Sequence, residues 1–243
     1  MGNPSHKNDV GRETRMKKQS QTWAERGERS FRGGEFKSAA LAFRVALLQA
    51  PATYYLMVMF ARSLVKVNPH SPFRHYAAKA TVLVPSEPDA WLILADGAFG
   101  QRELRRAANA ARRHMVLAPD DPNGGLSLSR VRFHRGELEQ CLSGLTRTEA
   151  LAPKNKVVRM AQARCLFRLG RHDAALQASN AAYEMGATMR EFGFEHCRIA
   201  RSANRPDISR KWMQRLLEID HSFADRREIL DLTVTIDDLR AKR

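Results

Sequence analysis

The sequence predicts an all-α protein in which six antiparallel helical hairpins, each 34 residues long, stack in a row. Two observations support this fold: prolines that recur at a fixed interval, and small residues that recur at matching places between them. Four prolines lie 34 residues apart, at Pro51, Pro85, Pro119 and Pro153. Because proline lacks an amide hydrogen and clashes with the preceding turn, it marks helix boundaries, and a fixed proline period indicates a repeated helical unit.

The boundaries of the repeats follow when each of these prolines is assigned to position 32 of a 34-residue repeat. The repeats are then 20–53, 54–87, 88–121, 122–155, 156–189 and 190–223. Position 8 is small in every repeat: Gly27, Ala61, Ala95, Ser129, Ala163 and Cys197. Position 20 is small in all repeats but the second, which has Phe73 there. Antiparallel helices approach closely only where side chains are small, so these positions mark where the two helices of a repeat cross.

The first repeat contains every predicted element in order. Its first helix, called helix A, carries Trp23 and Gly27, and residues 34–36 form the turn. Its second helix, called helix B, carries three more residues of the pattern before Pro51: Ala39, Phe43 and Ala46. Turn glycines recur in the fourth and fifth repeats, at Gly136 and Gly170.

This pattern resembles the tetratricopeptide repeat (TPR), a helix–turn–helix of 34 residues, over about residues 20–223. The resemblance implies a right-handed α-solenoid of stacked antiparallel helix pairs, the TPR superhelix, whose A helices line a concave groove. A solenoid needs a terminal element with one polar face, so we expect a capping helix and tail at residues 224–243. Residues 1–19 have too few apolar side chains to offset the entropy of ordering and are predicted to form a flexible basic tail. Gly125 predicts a short or loosely packed helix A in the fourth repeat.

The charge of the chain indicates acidic partners. The formal net charge is +15, and most of it lies within the six repeats. Such a charge favours acidic protein segments, nucleic acid or an anionic surface, and it does not choose among them. A second basic surface is expected on helix B of the third repeat, at Arg105, Arg106, Arg112 and Arg113.

Several classes of function lack support in the sequence. The three cysteines, Cys141, Cys165 and Cys197, are too widely spaced for a disulfide framework or a metal site, and they lie where small buried residues are expected. The histidines have no ligand spacing and are expected mostly on the surface. Motifs of metalloproteases, phosphate-binding loops and serine hydrolases do not occur. We therefore predict a protein that is not an enzyme and has no metal or cofactor.

The location of the protein is predicted from two further absences in the sequence. No apolar stretch is long enough to span a membrane. The N-terminus is polar up to Thr22 and has no apolar segment of the kind that directs secretion. Both observations favour the cytoplasm, and the oligomeric state stays open.

The resemblance to TPR proteins also implies a partner-binding surface, because positions 2, 5, 9, 12 and 13 of each repeat tend to face the groove. Position 9 is arginine in four repeats, position 12 is phenylalanine in several, and position 13 adds further basic groups. We call these ten residues the A-helix wall: Arg62, Lys66, Phe99, Arg130, Phe133, His134, Arg164, Phe167, Arg168 and Arg198. Positions 9 and 13 share one helix face, and arginine both grips carboxylates and stacks on rings.

The A-helix wall predicts a scaffold that binds a protein segment with acidic and apolar side chains. A solvated charged face is the competing interpretation. Binding of nucleic acid or another polyanion is one alternative function, and an accessory role in an envelope, secretion or glycan-processing complex is another, by analogy alone. The carboxylate clamp of chaperone-binding TPR proteins is not expected here, because position 5 is apolar in every repeat and position 9 is never Asn.

Overall fold

The structure is a computed structural model that describes residues 4–49, 53–68 and 73–219. All regular secondary structure in these ranges is α-helical. Twelve helices occur there in chain order: α1 (Pro4–Arg32), α2 (Phe36–Gln49), α3 (Tyr54–Val67), α4 (Phe73–Leu83), α5 (Pro88–Gly100), α6 (Leu104–Leu117), α7 (Pro122–His134), α8 (Leu138–Leu151), α9 (Lys156–Arg168), α10 (His172–Glu184), α11 (Met189–Ser202) and α12 (Pro206–Ile219). The odd-numbered helices are the A helices of the repeats and the even-numbered helices are the B helices.

The chain divides into two compact units, one up to Val131 and one from Arg132 on. In the N-terminal unit, sequential packing joins α1 to α6, with each of these helices packed against its neighbour along the chain. In the C-terminal unit the same sequential packing joins α8 to α12. Each unit is therefore a stack of helix pairs in which most contacts are made between neighbours in sequence.

Proline and left-handed turn residues set the helix boundaries. Pro88, Pro122 and Pro206 are the first residues of α5, α7 and α12, where a missing amide hydrogen costs nothing. Five repeats place a residue with positive φ at position 15, between helix A and helix B. These residues are Gly34 (79°), Arg102 (60°), Gly136 (76°), Gly170 (73°) and Asn204 (56°). Glycine fits this conformation without strain, which explains the turn glycines of the repeat pattern.

The core depends on pairs of one large and one small residue. Alanines at the crossing positions, such as Ala61 and Ala175, are fully buried. Where the pattern is broken by a large residue on helix B, a glycine on a neighbouring A helix makes room for it. A Cβ atom at Gly97 would lie 2.5 Å from the ring of Phe73, and two other such pairs are similarly close: Gly124 with His114, and Gly193 with Leu216. Gly27 makes the same kind of contact with Phe43, a regular residue of the pattern. The departures from the repeat pattern are therefore compensated in the packing.

The structure differs from the sequence predictions at the N-terminal end and in the fourth repeat. Helix α1 begins at Pro4, so most of the segment 1–19 that was predicted as a flexible tail is helical. No proline interrupts α1 after its first residue, and Ser20 anchors it by donating to the Ala46 carbonyl oxygen at 3.0 Å. The short helix A expected from Gly125 is wrong, because α7 has 13 residues, as many as α5 and α9. The capping helix predicted at 224–243 lies outside the described residues.

No helix within the described ranges is long and apolar enough to cross a membrane.

Candidate functional site

In the N-terminal unit, two arginines of the A-helix wall are bound to aspartates of α5. The Arg62 guanidinium lies 2.8 Å from an Asp89 carboxylate oxygen. Arg130 donates to the Asp96 carboxylate, and its guanidinium carbon lies 4.3 Å from the centre of the Phe99 ring. Arg62 is on α3 and Arg130 is on α7, so the two ion pairs connect α5 to the A helices before and after it. The positive charges of Arg62 and Arg130 are therefore partly neutralised by the two aspartates.

In the described part of the C-terminal unit, one of the three wall arginines has a carboxylate partner. Arg164 donates through Nε to Glu195 at 2.6 Å. Arg168 and Arg198 are exposed and have no carboxylate within ion-pair distance in the part of the chain that the structure describes. Each of them lies instead on a phenylalanine ring.

The three wall phenylalanines all support a guanidinium group from the following repeat. Arg130 covers Phe99, Arg168 covers Phe133 at 5.1 Å, and Arg198 covers Phe167 at 5.5 Å. Each ring is half-buried, and each arginine comes from the next A helix. Exposed cation–π contacts of this kind contribute about 0.5–1 kcal/mol each. The alternation of aromatic and basic groups that the sequence predicted is therefore present within each unit as stacked pairs.

The remaining wall residues are peripheral. Lys66 is an exposed residue near the end of α3. The His134 ring stands edge-on to the neighbouring Phe133 ring, with the ring centres 6.0 Å apart. Neither residue lies in a pocket wall that the structure describes.

The sequence analysis missed the acidic partners of the wall. Position 9 of the N-terminal unit alternates in sign, as Glu28, Arg62, Asp96 and Arg130. The carboxylate of Glu28 accepts a hydrogen bond from the Tyr55 hydroxyl at 2.6 Å and pairs with Arg32 at 3.8 Å. Considering position 9 as a row, instead of selecting its arginines, would have predicted the pair between Asp96 and Arg130. The partners at Asp89 and Glu195 occupy other positions and gave no comparable signal.

No family model matches the chain, and a comparison with curated proteins finds no match. Solved structures do match. TTC0263, a thermophilic TPR protein of Thermus thermophilus, is 19% identical with a TM-score of 0.63, over 76% of this chain and 98% of its own. The chain has the TPR fold. PilF of Pseudomonas aeruginosa is 13% identical with a TM-score of 0.72, over 90% of this chain and 99% of that one. MamA is 17% identical with a TM-score of 0.58, over 72% and 95% respectively.

The cysteines serve the packing of the TPR core. All three are buried, and Cys165 donates through Sγ to the Leu138 carbonyl oxygen at 3.1 Å. Burial raises the pKa of the Cys197 thiol to about 12, which keeps it protonated and unreactive. Among the described residues, no cluster of His, Cys, Asp or Glu could hold a metal ion.

Two histidines are exceptions to the expectation that the histidines lie mostly on the surface. His114 and His196 are fully buried in the TPR helices. His196 Nδ1 lies 2.5 Å from Ser179 Oγ, and its ring packs against both Tyr183 and Trp212, which also contact each other. Burial lowers the pKa of His196 to about 4, so this side chain is neutral at pH 7. Because the Ser179–His196 pair is sealed in the core, it has no access to a substrate.

Proposed function

We propose that this chain is a non-catalytic scaffold that binds a partner protein segment carrying acidic and apolar side chains. The binding surface would be the part of the A-helix wall that lies in the C-terminal unit. The observation that carries the proposal is the pair of exposed guanidinium groups of Arg168 and Arg198. Each rests on a phenylalanine ring and has no carboxylate partner among the described residues.

The guanidinium carbons of Arg168 and Arg198 lie over their phenylalanine rings, at 5.1 and 5.5 Å from the ring centres, and both side chains are exposed. The exposed N–H groups of such an arginine can bind a carboxylate with two parallel hydrogen bonds. The ring also fixes the arginine side chain in advance, which lowers the entropy lost on binding. Arginine and aromatic residues are the usual energetic centres of protein interfaces.

Apolar groups on the same two helices as these arginines can receive the apolar side chains of the partner. Val157 at the start of α9 is 50% exposed, and Phe167 and Phe194 are half-buried. An extended or helical segment with alternating acidic and apolar residues would therefore find both kinds of contact on α9 and α11.

The other wall arginines are expected to contribute less to binding. Arg62, Arg130 and Arg164 have side chains that are 36%, 44% and 42% exposed, yet each is paired with a carboxylate of a neighbouring A helix. A ligand carboxylate would have to displace Asp89, Asp96 or Glu195. We propose that these three arginines mainly hold adjacent repeats together.

Selection from a displayed peptide library tests the proposal. The site variant carries Arg168→Glu and Arg198→Glu, and the control carries Arg147→Glu and Lys211→Glu on exposed positions of B helices in the same unit. Both variants have the same net charge. We expect the native protein to enrich peptides that combine acidic and apolar residues. The site variant should bind them at least about a hundredfold more weakly, because each charged hydrogen bond contributes about 1.5 kcal/mol or more.

Two outcomes would refute this function. The selected peptides could lack Asp and Glu, or both variants could lose affinity equally, which would indicate a non-specific charge effect. Circular dichroism of each variant shows whether the fold is intact.

Polyanion binding is the second candidate function, and the net charge of +15 favours it. Filter binding of single-stranded and double-stranded oligonucleotides over a range of salt concentrations tests it. Binding to phosphates of duplex DNA weakens with salt with a logarithmic slope near −0.9 for each contact. A lack of binding at low salt would eliminate this candidate.

A further inference from the structure

The B helices of the N-terminal unit have an unusual charge distribution. Helices α2, α4 and α6 together contain eight Lys and Arg residues and no Asp or Glu. Two of these residues, Arg74 and Arg106, bind Glu103 at the start of α6. The other six are exposed, and in the described ranges none has a carboxylate within ion-pair distance: Lys37, Arg44, Lys79, Arg105, Arg112 and Arg113.

A row of exposed aliphatic side chains accompanies these cations. Position 29 of the first three repeats is Leu48, Val82 and Val116, with exposed fractions of 75%, 79% and 71%. On each helix a cation lies about one turn before the aliphatic residue, at Arg44, Lys79 and Arg112 respectively, so both share one helix face. Leu83 and Met115, exposed by 51% and 38%, widen the row. We call these cations and aliphatic residues the B-helix face.

The repeat architecture does not by itself require such a face. In the C-terminal unit, position 29 is Ala150, Glu184 and Glu218. The B helices of that unit, α8, α10 and α12, contain six Asp and Glu residues. The same fold is therefore built there with a surface of mixed charge. The B-helix face combines a row of exposed aliphatic side chains with an excess of positive charge, and a partner for this face has to explain both properties.

We infer that the B-helix face docks the protein on the surface of an anionic lipid bilayer. Anionic headgroups supply a dense layer of negative charge, and the interface just below them accepts aliphatic side chains. The cations would lie at the headgroups while Leu48, Val82 and Val116 enter the boundary of the acyl chains. Because the attachment is peripheral, it needs no membrane-spanning helix.

Other polyanionic partners fit the face less well. Nucleic acid would use the cations but would leave the aliphatic row in contact with water. The anchors of a protein interface are normally packed into pockets, whereas these three side chains project separately from three helices and are more than two-thirds exposed. A fluid bilayer needs no shape complementarity and accepts isolated projecting side chains.

Co-sedimentation with vesicles tests the inference on the full chain. The two preparations are phosphatidylcholine alone and phosphatidylcholine mixed with phosphatidylglycerol. We expect binding to the mixed vesicles only. Lys79→Gln with Arg112→Gln should weaken it about fivefold for each cation removed. The charge-matched control, Lys211→Gln with Arg215→Gln on exposed positions of α12, should bind like the native protein.

A second variant distinguishes binding to a bilayer from binding to a soluble polyanion. Val82→Ser with Val116→Ser should weaken vesicle binding roughly tenfold because aliphatic area is lost, and it should leave binding of a duplex oligonucleotide unchanged. The inference is overturned if the native protein does not bind anionic vesicles, or if the Lys211→Gln, Arg215→Gln control loses as much binding as the Lys79→Gln, Arg112→Gln variant. It is also overturned if the Val82→Ser, Val116→Ser variant binds vesicles as well as the native protein does. Oligonucleotide binding without vesicle binding would overturn it in favour of a nucleic-acid surface. Circular dichroism establishes that each variant is folded.

Discussion

Gly97 on α5 provides a direct test of how the N-terminal unit is packed. A Cβ atom at this position would lie 2.5 Å from Cε2 and 2.8 Å from Cζ of Phe73. Phe73 is only 1% exposed, so its ring has no open space to move into. We expect Gly97→Ala to introduce overpacking that costs about 3 kcal/mol, the upper end of the usual range. The higher helix propensity of alanine offsets about 1 kcal/mol, which leaves a net loss of about 2 kcal/mol.

Urea unfolding followed by circular dichroism measures this loss as a shift of the midpoint at constant slope. Phe73→Leu removes the ring atoms that a Cβ at position 97 would meet, so the double variant should be more stable than the sum of the single changes by about 1–2 kcal/mol. Gly33→Ala is the matched control, because its nearest contact would be an ordinary 3.4 Å. If Gly97→Ala leaves the free energy of unfolding unchanged, or if the two changes are additive, the large-to-small packing argument is refuted.

Three further predictions concern pH, a turn and a helix cap. The folded protein holds the pKa of His196 at about 4, below its usual 6.5, so unfolding is favoured by protonation. Stability should fall by up to about 3 kcal/mol as pH drops from 6.5 to 4, and this fall should vanish in His196→Gln. Gly170→Ala should cost about 1 kcal/mol, because φ is 73° there. Thr188→Ala should cost about 1 kcal/mol, because it removes the side-chain cap of α11.

Equilibrium unfolding measures all three, and each has an outcome that would contradict it. If the stability of His196→Gln depends on pH as strongly as that of the native protein, other groups cause the dependence. Thr146→Ala, an exposed substitution within α8, controls for loss of a threonine and should change stability by less than about 0.5 kcal/mol. Gly170→Ala should be more damaging than Gly33→Ala, and equal effects would argue against strain at the turn.

Much of the fold could be predicted from local sequence rules. The 34-residue spacing of prolines reflects helix boundaries, which depend on the covalent geometry of proline and its neighbours. The turn glycines at positions such as Gly136 reflect a left-handed conformation, which is also a local property. The sequence predicted a flexible tail at residues 1–19, whereas α1 begins at Pro4, because composition counts the apolar side chains of a segment and does not show whether the segment extends a neighbouring helix.

The candidate site was only partly predictable. Helical periodicity placed the arginines and phenylalanines of the A-helix wall on one face of each A helix. It did not show which arginines were already paired, because Arg164 and its partner Glu195 are 31 residues apart and occupy different repeat positions. Arg168 and Arg198 are exposed and lack such a partner among the described residues, and nothing in their sequence spacing indicates this.

The sequence by itself therefore determined the repeat, its phase and the chemical character of each helix face. These properties follow from local helix geometry, in which residues three or four apart in sequence are neighbours on one helix face. The tertiary structure alone decided how charge is distributed between neighbouring repeats: which arginines pair with carboxylates, which lie over a ring, and which cations of α2, α4 and α6 have no carboxylate within ion-pair distance in the described structure. Such pairings depend on the approach of separate helices, and that approach is set by buried pairs such as Phe73 with Gly97.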